Sequence, residues 1–199
     1  MPLVISGRQM VRLSKRAYMF IDGGYLRAII RNVLHRDDVL KDVRRYAKVL
    51  SNLVNRCRSS ELEVMRTYYY DAIIPVEEDR DEHKKQKMFF DELQSIMTSF
   101  EVKLGDLIPT PKGPPRQKGV DTLMALDMII KAFLNHYDIA ILFAGDRDFV
   151  PVVRAVKDYA GRKVYGIYEP NSASPELMRV FDARLPLAGD HLKNMVEGV

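Results

Sequence analysis

The chain has 199 residues, 47% of them hydrophobic and 29% charged, with a net charge of +4 and a single cysteine. This length fits one good-sized core, and the composition excludes a disordered chain. One cysteine, Cys57, excludes an internal disulfide framework and indicates a reducing, cytoplasmic setting. The mildly basic charge permits a nucleic-acid partner. The sequence has no run of about 18 apolar residues, so no membrane span is expected.

The first 16 residues are predicted to form a basic arm. Their charged residues follow a short apolar patch, whereas a secretory signal has its charges first and a longer apolar core. We therefore place one folded domain at residues 17–199.

The first predicted strand is the apolar run of residues 17–21, which ends in Asp22-Gly23-Gly24. Apolar residues at helical spacing follow it over residues 25–33. A strand, an aspartate and a tight turn into a helix is a pattern that the chain repeats later.

A second helix is predicted to begin at a cap provided by Asp37 or Asp38 and to continue to Val54. Residues 62–70 are predicted to form the second strand, followed by Asp71 as a further strand-end carboxylate. A highly charged segment then leads into a helical pattern that ends near Phe100, and residues 102–108 are predicted to form the third strand.

Residues 109–119 are predicted to form a loop, because four prolines and two glycines cannot continue a helix or a central strand. Lys112, Arg116 and Lys118 make this loop basic. A long helical pattern over residues 120–133 follows, with Asp121 in its first turn.

Residues 139–149 begin with a continuous apolar run and end in Gly145-Asp146-Arg147-Asp148-Phe149. We interpret this as a strand buried on both faces, a turn, and a helix that continues to Ala160, with Asp148 at or next to its N-cap. A fifth strand is predicted at residues 163–168, a short helix at residues 175–181, and a small strand or a covering helix in residues 185–199.

Alternating strands and helices predict a mainly parallel sheet of about five strands with helices on both faces. The first and fourth predicted strands are expected to lie side by side at a switch point, which is where open α/β sheets place their sites. Asp22 and Asp146 follow these strands, and Asp121 and Asp148 open helices at the same edge. Their mutual repulsion favours a divalent cation, although aspartates are also ordinary cap and turn residues.

The basic loop is expected at that same edge. Lys118, Arg116, Lys112 and, more weakly, Arg147 are candidate phosphate contacts. A metal pocket bordered by cations suits a phosphodiester substrate, because a divalent cation activates water and stabilises developing charge while Lys and Arg hold the backbone.

Three segments resemble the three motifs of the NYN domain, a PIN-like nuclease family, and are nearest to its LabA-like bacterial branch. The segments are residues 20–26 (Phe-Ile-Asp-Gly-Gly-Tyr-Leu), 118–127 (Lys-Gly-Val-Asp-Thr-Leu-Met-Ala-Leu-Asp) and 144–153 (Ala-Gly-Asp-Arg-Asp-Phe-Val-Pro-Val-Val). The resemblance places a motif-bearing core at about residues 18–168 and a C-terminal extension at residues 169–199. It implies a single-domain, PIN-like, three-layer α/β sandwich.

The resemblance also implies a metal-dependent ribonuclease that uses Mg²⁺ or Mn²⁺. Asp22, Asp121, Asp146 and Asp148 match the acidic metal-site positions. Asp127 matches a recurrent acidic position, but it lies about 600° round an ideal helix from Asp121 and is expected to support the ligands or to pack the helix. The family commonly has Asn where this chain has Tyr25.

The leading hypothesis is therefore a cytoplasmic, Mg²⁺- or Mn²⁺-dependent nuclease that acts on RNA, with DNA the less favoured substrate. The alternative is a non-catalytic RNA-binding or regulatory module that keeps the acidic pocket. A homodimer through an apolar helix face is compatible with the pattern. An Asp-nucleophile phosphatase or phosphotransferase fits poorly, because the first predicted strand ends in Asp22-Gly23-Gly24 rather than in Asp-x-Asp. A serine or cysteine hydrolase and a zinc site lack support, because the chain has no Gly-x-Ser-x-Gly motif and no Cys/His cluster with ligand spacing.

Overall fold

The centre of the molecule is a seven-stranded mixed sheet within a single α/β domain, in a computed structural model that describes residues 14–110 and 113–196. The strand order is β4-β3-β2-β1-β5-β6-β7. Only β3 and β4 pair antiparallel among these strands. The strands are β1 (Lys15–Asp22), β2 (Leu62–Ile73), β3 (Phe100–Thr110), β4 (Gly113–Lys118), β5 (Ile139–Phe143), β6 (Lys163–Tyr168) and β7 (Ala183–Pro186).

Helices cover both faces of the sheet, as alternation of the elements predicts. The helices are α1 (Gly23–Asn32), α2 (Asp37–Leu40), α3 (Val43–Arg56), α4 (Arg80–Ile96), α5 (Val120–Phe133), α6 (Val150–Asp158), α7 (Pro175–Val180) and α8 (Asp190–Val196). One apolar cluster joins α1, α2, α3, α4 and α8 to the sheet, and a second joins α5, α6 and α7 to its other face. In β1, Met19 and Ile21 enter the first cluster and Phe20 the second, so this strand is buried on both faces.

The sheet matches the predicted architecture only roughly. All five predicted strands are present, and they correspond to β1, β2, β3, β5 and β6. The additional strands β4 and β7 extend the two edges, so the prediction of about five strands was too low. The tail contributes both of the elements considered for it, a small strand and a helix.

The predicted loop at residues 109–119 was the largest error. Residues 113–118 form β4, which pairs antiparallel with β3. Proline is tolerated there because β4 is an edge strand, and the register shifts between Ile108 and Thr110, where β3 carries Pro109. Lys112, a predicted phosphate contact, lies outside the described residues.

The predicted single helix between Asp37 and Val54 is two helices. The short helix α2 stops at Leu40, and α3 begins after Asp42, whose carboxylate accepts hydrogen bonds from the backbone N–H groups of Arg44 and Arg45. Helical apolar spacing continued across the break, so the cap at Asp42 rather than the hydrophobic pattern decides where the chain turns.

The predicted switch point is present between β1 and β5. The chain proceeds from β1 to β2 on one side of this pair and from β5 to β6 on the other. Ile21 pairs with Phe143, so Asp22 and the segment that follows Phe143 leave the sheet together at its carboxyl edge. This is the edge where α/β sheets form their sites.

The predicted basic arm lies mostly outside the described residues. Residues 1–13 lie outside the described part, and Lys15 and Arg16 begin β1 rather than belonging to an arm. Within the described ranges, no helix is long and apolar enough to cross a membrane.

Candidate active site

A cleft of about 550 Å³ opens at the carboxyl edge of the sheet, directly over the switch point. Asp22, Asp121 and Asp146 line it, and they come from three separate parts of the chain. The remaining lining residues are Gly24, Tyr25, Ala28, Gln117, Gly145, Arg147, Ser172 and Ser174. The fold therefore collects three of the four predicted metal-site carboxylates in one cavity.

Asp22 is held by the helix that follows it. It ends β1 and serves as the N-cap of α1, where its Oδ1 accepts a hydrogen bond of 3.0 Å from the backbone N–H of Tyr25. The cap fixes the carboxylate at the strand end because a Ser, Thr, Asp or Asn side chain there satisfies an otherwise unpaired helix donor.

Asp146 and Asp148 share one turn after β5. The Oδ1 of Asp146 accepts a hydrogen bond of 2.9 Å from the backbone N–H of Asp148, which caps a short 3-10 turn at Arg147–Phe149. Asp148 directly precedes Phe149, the N-cap residue of α6, as the sequence predicted. Gly145 is required before this turn, because a Cβ there would collide with the ring of Tyr25 and lie 2.9 Å from the carbonyl oxygen of Ser172.

Asp121 reaches the cleft from the first turn of α5. The helix begins at Gly119, whose φ of 84° lies in the left-handed region that favours glycine. This turn brings the chain from the edge strand β4 into a helix whose buried side packs on the sheet. Asp121 itself is exposed, on the cleft side.

The electrostatics show that these carboxylates crowd one another. Burial raises the pKa of Asp22 to about 7, and the charges of Asp121 and Asp71 add to the shift against the opposing hydrogen bond from Tyr25. Although Asp121 is accessible to solvent, the surrounding protein atoms partly desolvate its carboxyl and raise its pKa, and repulsion from Asp146 and Asp148 raises it further. All four predicted acidic residues thus lie near enough to couple, directly or through Asp121.

A divalent cation fits the chemistry of this donor set. Carboxylate oxygens are hard ligands, and Mg²⁺ usually keeps several of its waters and binds to only one or two protein carboxylates. Among the described residues that line the cleft, Arg147 is the single cationic side chain. In the described part of the chain, however, no three acidic, histidine or cysteine side chains form a ready-made metal cluster. The carboxylates are collected and repel one another, but they are not arranged around one point.

The predicted phosphate contacts are divided by the fold. Arg147 lines the cleft, but Arg116 and Lys118 do not. They flank Gln117 on β4, and successive strand residues point to opposite faces, so Gln117 points into the cleft and its two basic neighbours point away. Both basic side chains are exposed. Their phosphate role stays a prediction.

Asp71 is not an available strand-end carboxylate, contrary to the sequence interpretation. The strand β2 continues past it to Ile73, and the residue is completely buried. Arg27 forms a two-pronged ion pair with its carboxylate, and the hydroxyl of Tyr69 donates a hydrogen bond of 2.6 Å to it. The charge of Asp71 interrupts the apolar run, which predicts a strand end there, although apolar residues follow it. Only the tertiary fold supplies Arg27 from α1.

Asp127 also lies away from the cleft. Its carboxylate accepts hydrogen bonds from Lys131 and from the hydroxyl of Tyr70, and it forms an ion pair with Lys103. These partners lower its pKa although partial burial raises it. These contacts join α5 to β2 and β3, and among the described residues Asp127 does not line the acidic cleft.

Several lining residues escaped the sequence interpretation. Gln117 was placed in a loop, and it donates a hydrogen bond of 3.4 Å to Asp71 from the cleft side. The hydroxyl of Tyr25 accepts a hydrogen bond of 3.0 Å from the backbone N–H of Glu169 and lies 3.1 Å from the Oγ of Ser172. Ser174 could have been recognised as the cap of α7, but only the sheet order brings it beside Gly145.

Comparison with solved structures finds similarity at low sequence identity. A structure of a protein of unknown function from Vibrio parahaemolyticus is 21% identical over 92% of this chain and 98% of its own, with a TM-score of 0.59, and it shows a shared fold alone. A structure of a Sir2 enzyme is 11% identical over 92% of this chain and 91% of its own, but its TM-score of 0.39 supports no argument. No curated protein matches the sequence.

The model of the NYN domain matches residues 16–187. That span contains the three motif segments and all of the cleft residues. The chain therefore belongs to the NYN domain family, a family of PIN-like nucleases.

Proposed function

We propose that this protein is a cytoplasmic, Mg²⁺- or Mn²⁺-dependent ribonuclease of the LabA-like branch of its family. The observation that carries the proposal is the meeting of Asp22, Asp121 and Asp146 in one cleft, where burial and mutual repulsion raise the pKa of Asp22 and Asp121. Mutually repelling carboxylates at a sheet edge are favoured where a bound cation offsets their charge.

In this proposal the residues of the cleft have distinct roles. Asp22, Asp121 and Asp146 hold the cation directly or through water, and Asp148 helps to hold or orient the attacking water. The cation, when bound, supplies Lewis-acid stabilisation and an activated water. Arg147 contacts the phosphate that reacts, since a guanidinium pairs well with phosphate oxygens. The carboxylates and the arginine together would bind a phosphodiester with its charge compensated.

The direct test is cleavage of end-labelled single-stranded RNA in EDTA, Mg²⁺ or Mn²⁺, with single-stranded DNA of the same sequence beside it. Asp146→Asn is expected to lose metal-dependent cleavage by at least a hundredfold, because it removes a charge from the cation site. Asp158→Asn is the matched control, since Asp158 is an exposed residue at the far end of α6. Equal cleavage by the wild type and Asp146→Asn would contradict the proposal and indicate a contaminant.

A second candidate is an RNA-binding or regulatory module that keeps the acidic pocket. The observation that favours it is that the carboxylates do not form a ready-made metal cluster among the described residues. RNA binding without cleavage in any metal would support this candidate over the nuclease. Cleavage that Asp146→Asn abolishes would exclude it.

A homodimer stays a prediction. The helix α5 exposes a stripe of large apolar side chains at helical spacing, which continues just past its end. The stripe consists of Leu123, Leu126, Ile130, Phe133 and Leu134. It is the apolar helix face that such a dimer would use.

A further inference from the structure

A second groove, of about 630 Å³, lies beside the acidic cleft between α6 and α7. Arg147 lines both cavities, so the groove continues from the cleft. Two further arginines, Arg154 on α6 and Arg179 on α7, line it from opposite sides. The remaining lining residues are Asp148, Val150, Pro151, Glu176 and Val180.

Helix geometry places two of these cations, Arg147 and Arg154, on the same side of the chain. Arg147, Pro151 and Arg154 follow each other at spacings of four and three residues, so they lie along one side of the chain as it enters α6. Seven residues of helix correspond to roughly 10 Å, which separates the two guanidinium groups enough for each to meet a different phosphate. The groove therefore presents an extended cationic surface and not a single anion pocket.

In the described structure, the three arginine side chains do not join elements of the fold to one another. Within the described residues none of them forms an ion pair or a side-chain hydrogen bond. Lys157, one turn further along α6, shows the contrast, because its Nζ donates a hydrogen bond of 2.7 Å to the carbonyl oxygen of Val180 and pairs with Asp182. Two carboxylates, Asp148 and Glu176, also line the groove, so they offset its three positive charges only in part. A hydrogen bond from Ser174 lowers the pKa of Glu176, and the charges of Arg147 and Arg179 lower it further.

We propose that this groove binds the phosphodiester backbone of single-stranded RNA on one side of the scissile phosphate. The inference rests on the proposed function, because the groove gains its meaning from its continuity with the acidic cleft. Arg147 contacts the strand at the cleft, and Arg154 and Arg179 hold the next phosphates. Guanidinium groups suit this role because they present planar, paired donors to phosphate oxygens.

The lining residues also determine which part of the RNA, base or phosphate, the groove contacts. Its apolar lining residues are Val150, Pro151 and Val180, and among the residues that the structure describes no aromatic side chain lines it. Bases in single strands bind mainly by stacking on aromatic rings, whereas phosphates bind through charge and depend strongly on salt. The groove therefore adds affinity for longer strands without adding sequence preference.

The test is fluorescence anisotropy with labelled single-stranded RNA of 12 nucleotides in EDTA, over a range of salt concentrations. The variant Arg154→Ala/Arg179→Ala is compared with Arg44→Ala/Arg58→Ala, which removes the same charge from exposed arginines near α3, a helix on the opposite face of the sheet. We expect the groove variant to bind about tenfold more weakly and the slope of log K against log salt to fall by about 1.4, which corresponds to two lost phosphate contacts. The control pair should stay close to the wild type.

Two outcomes separate this inference from the proposed function. Weaker RNA binding by the groove variant, without cleavage by any form of the protein, would keep the groove and reject the nuclease. Metal-dependent cleavage together with equal binding by the groove and control variants would keep the nuclease and reject the groove as an RNA site. A loss that differs between uridine and adenosine homopolymers would overturn the backbone-only contact.

Discussion

Asp22 and Asp71 lie on neighbouring strands at the same edge of the sheet, yet their surroundings are opposite. In the register of β1 and β2, Asp22 pairs with Tyr70, the residue just before Asp71. Burial raises the pKa of both carboxyls. Asp71 is met by Arg27 and Tyr69, whereas Asp22 faces the further carboxylate of Asp121.

The difference shows how a fold assigns roles to identical side chains. A buried carboxylate with a fixed guanidinium beside it is neutralised within the protein and becomes part of the structure. A carboxylate whose neighbours are other carboxylates lacks that compensation, so it gains from a cation that comes from solution. Asp127, held by Lys103 and Lys131, belongs with Asp71 in this respect.

The largest expected effect comes from breaking the ion pair between Arg27 and Asp71. Arg27→Met leaves Asp71 buried without a cation, and we expect a loss of about 3–5 kcal/mol in the free energy of unfolding. Arg31→Met is the matched control, because Arg31 pairs with Asp37 on the surface, where such pairs contribute about 0–1 kcal/mol. Urea denaturation of both variants measures this, and equal losses would contradict a structural role for the Arg27–Asp71 pair.

The next largest effect is expected from removing the charge of Asp22. The folded-state pKa of Asp22 is about 7, above its ordinary value of 3.8, so the wild type loses stability as pH rises between these values. Asparagine keeps the N-cap but carries no charge. In EDTA at pH 8, Asp22→Asn should therefore be more stable than the wild type, on the order of 2 kcal/mol, and the two should converge near pH 4.

A control for this prediction is Asp42→Asn. Asp42 caps α3 with its side chain in the same way, but it is exposed. Urea denaturation of both variants at pH 4, 6 and 8 compares them. If the stability difference between Asp22→Asn and the wild type did not grow from pH 4 to pH 8, the pKa of Asp22 would not be raised in the folded protein.

The smallest effect is stabilisation by the cation itself. Mg²⁺ or Mn²⁺ at ten times its dissociation constant should add about 1.4 kcal/mol to the free energy of unfolding, because it binds the folded state alone. Thermal unfolding at increasing metal concentration measures this without any cleavage. Asp146→Asn should lose the effect and Asp158→Asn should keep it. Stabilisation of all three proteins alike would show that the cation binds elsewhere.

Much of the fold could be predicted from local pattern. The strands β1, β5 and β6 are apolar runs that are buried on both faces, and α5 is a long apolar-periodic helix, so their positions are nearly those predicted. The position of the β1–β5 switch point followed from the alternation of elements. From these, the meeting of Asp22, Asp121 and Asp146 at one edge could be anticipated, although their role stays a prediction.

The sequence by itself determined which residues end strands and open helices, because apolar period, glycine and capping residues act over a few positions. Only the tertiary structure decided the rest. It made an edge strand of a proline-rich segment, since a neighbouring strand with a register shift accommodates it. It also supplied Arg27 to Asp71 and left Arg154 and Arg179 facing one groove. Such charge pairing depends on contacts between elements far apart in sequence, which local spacing does not encode.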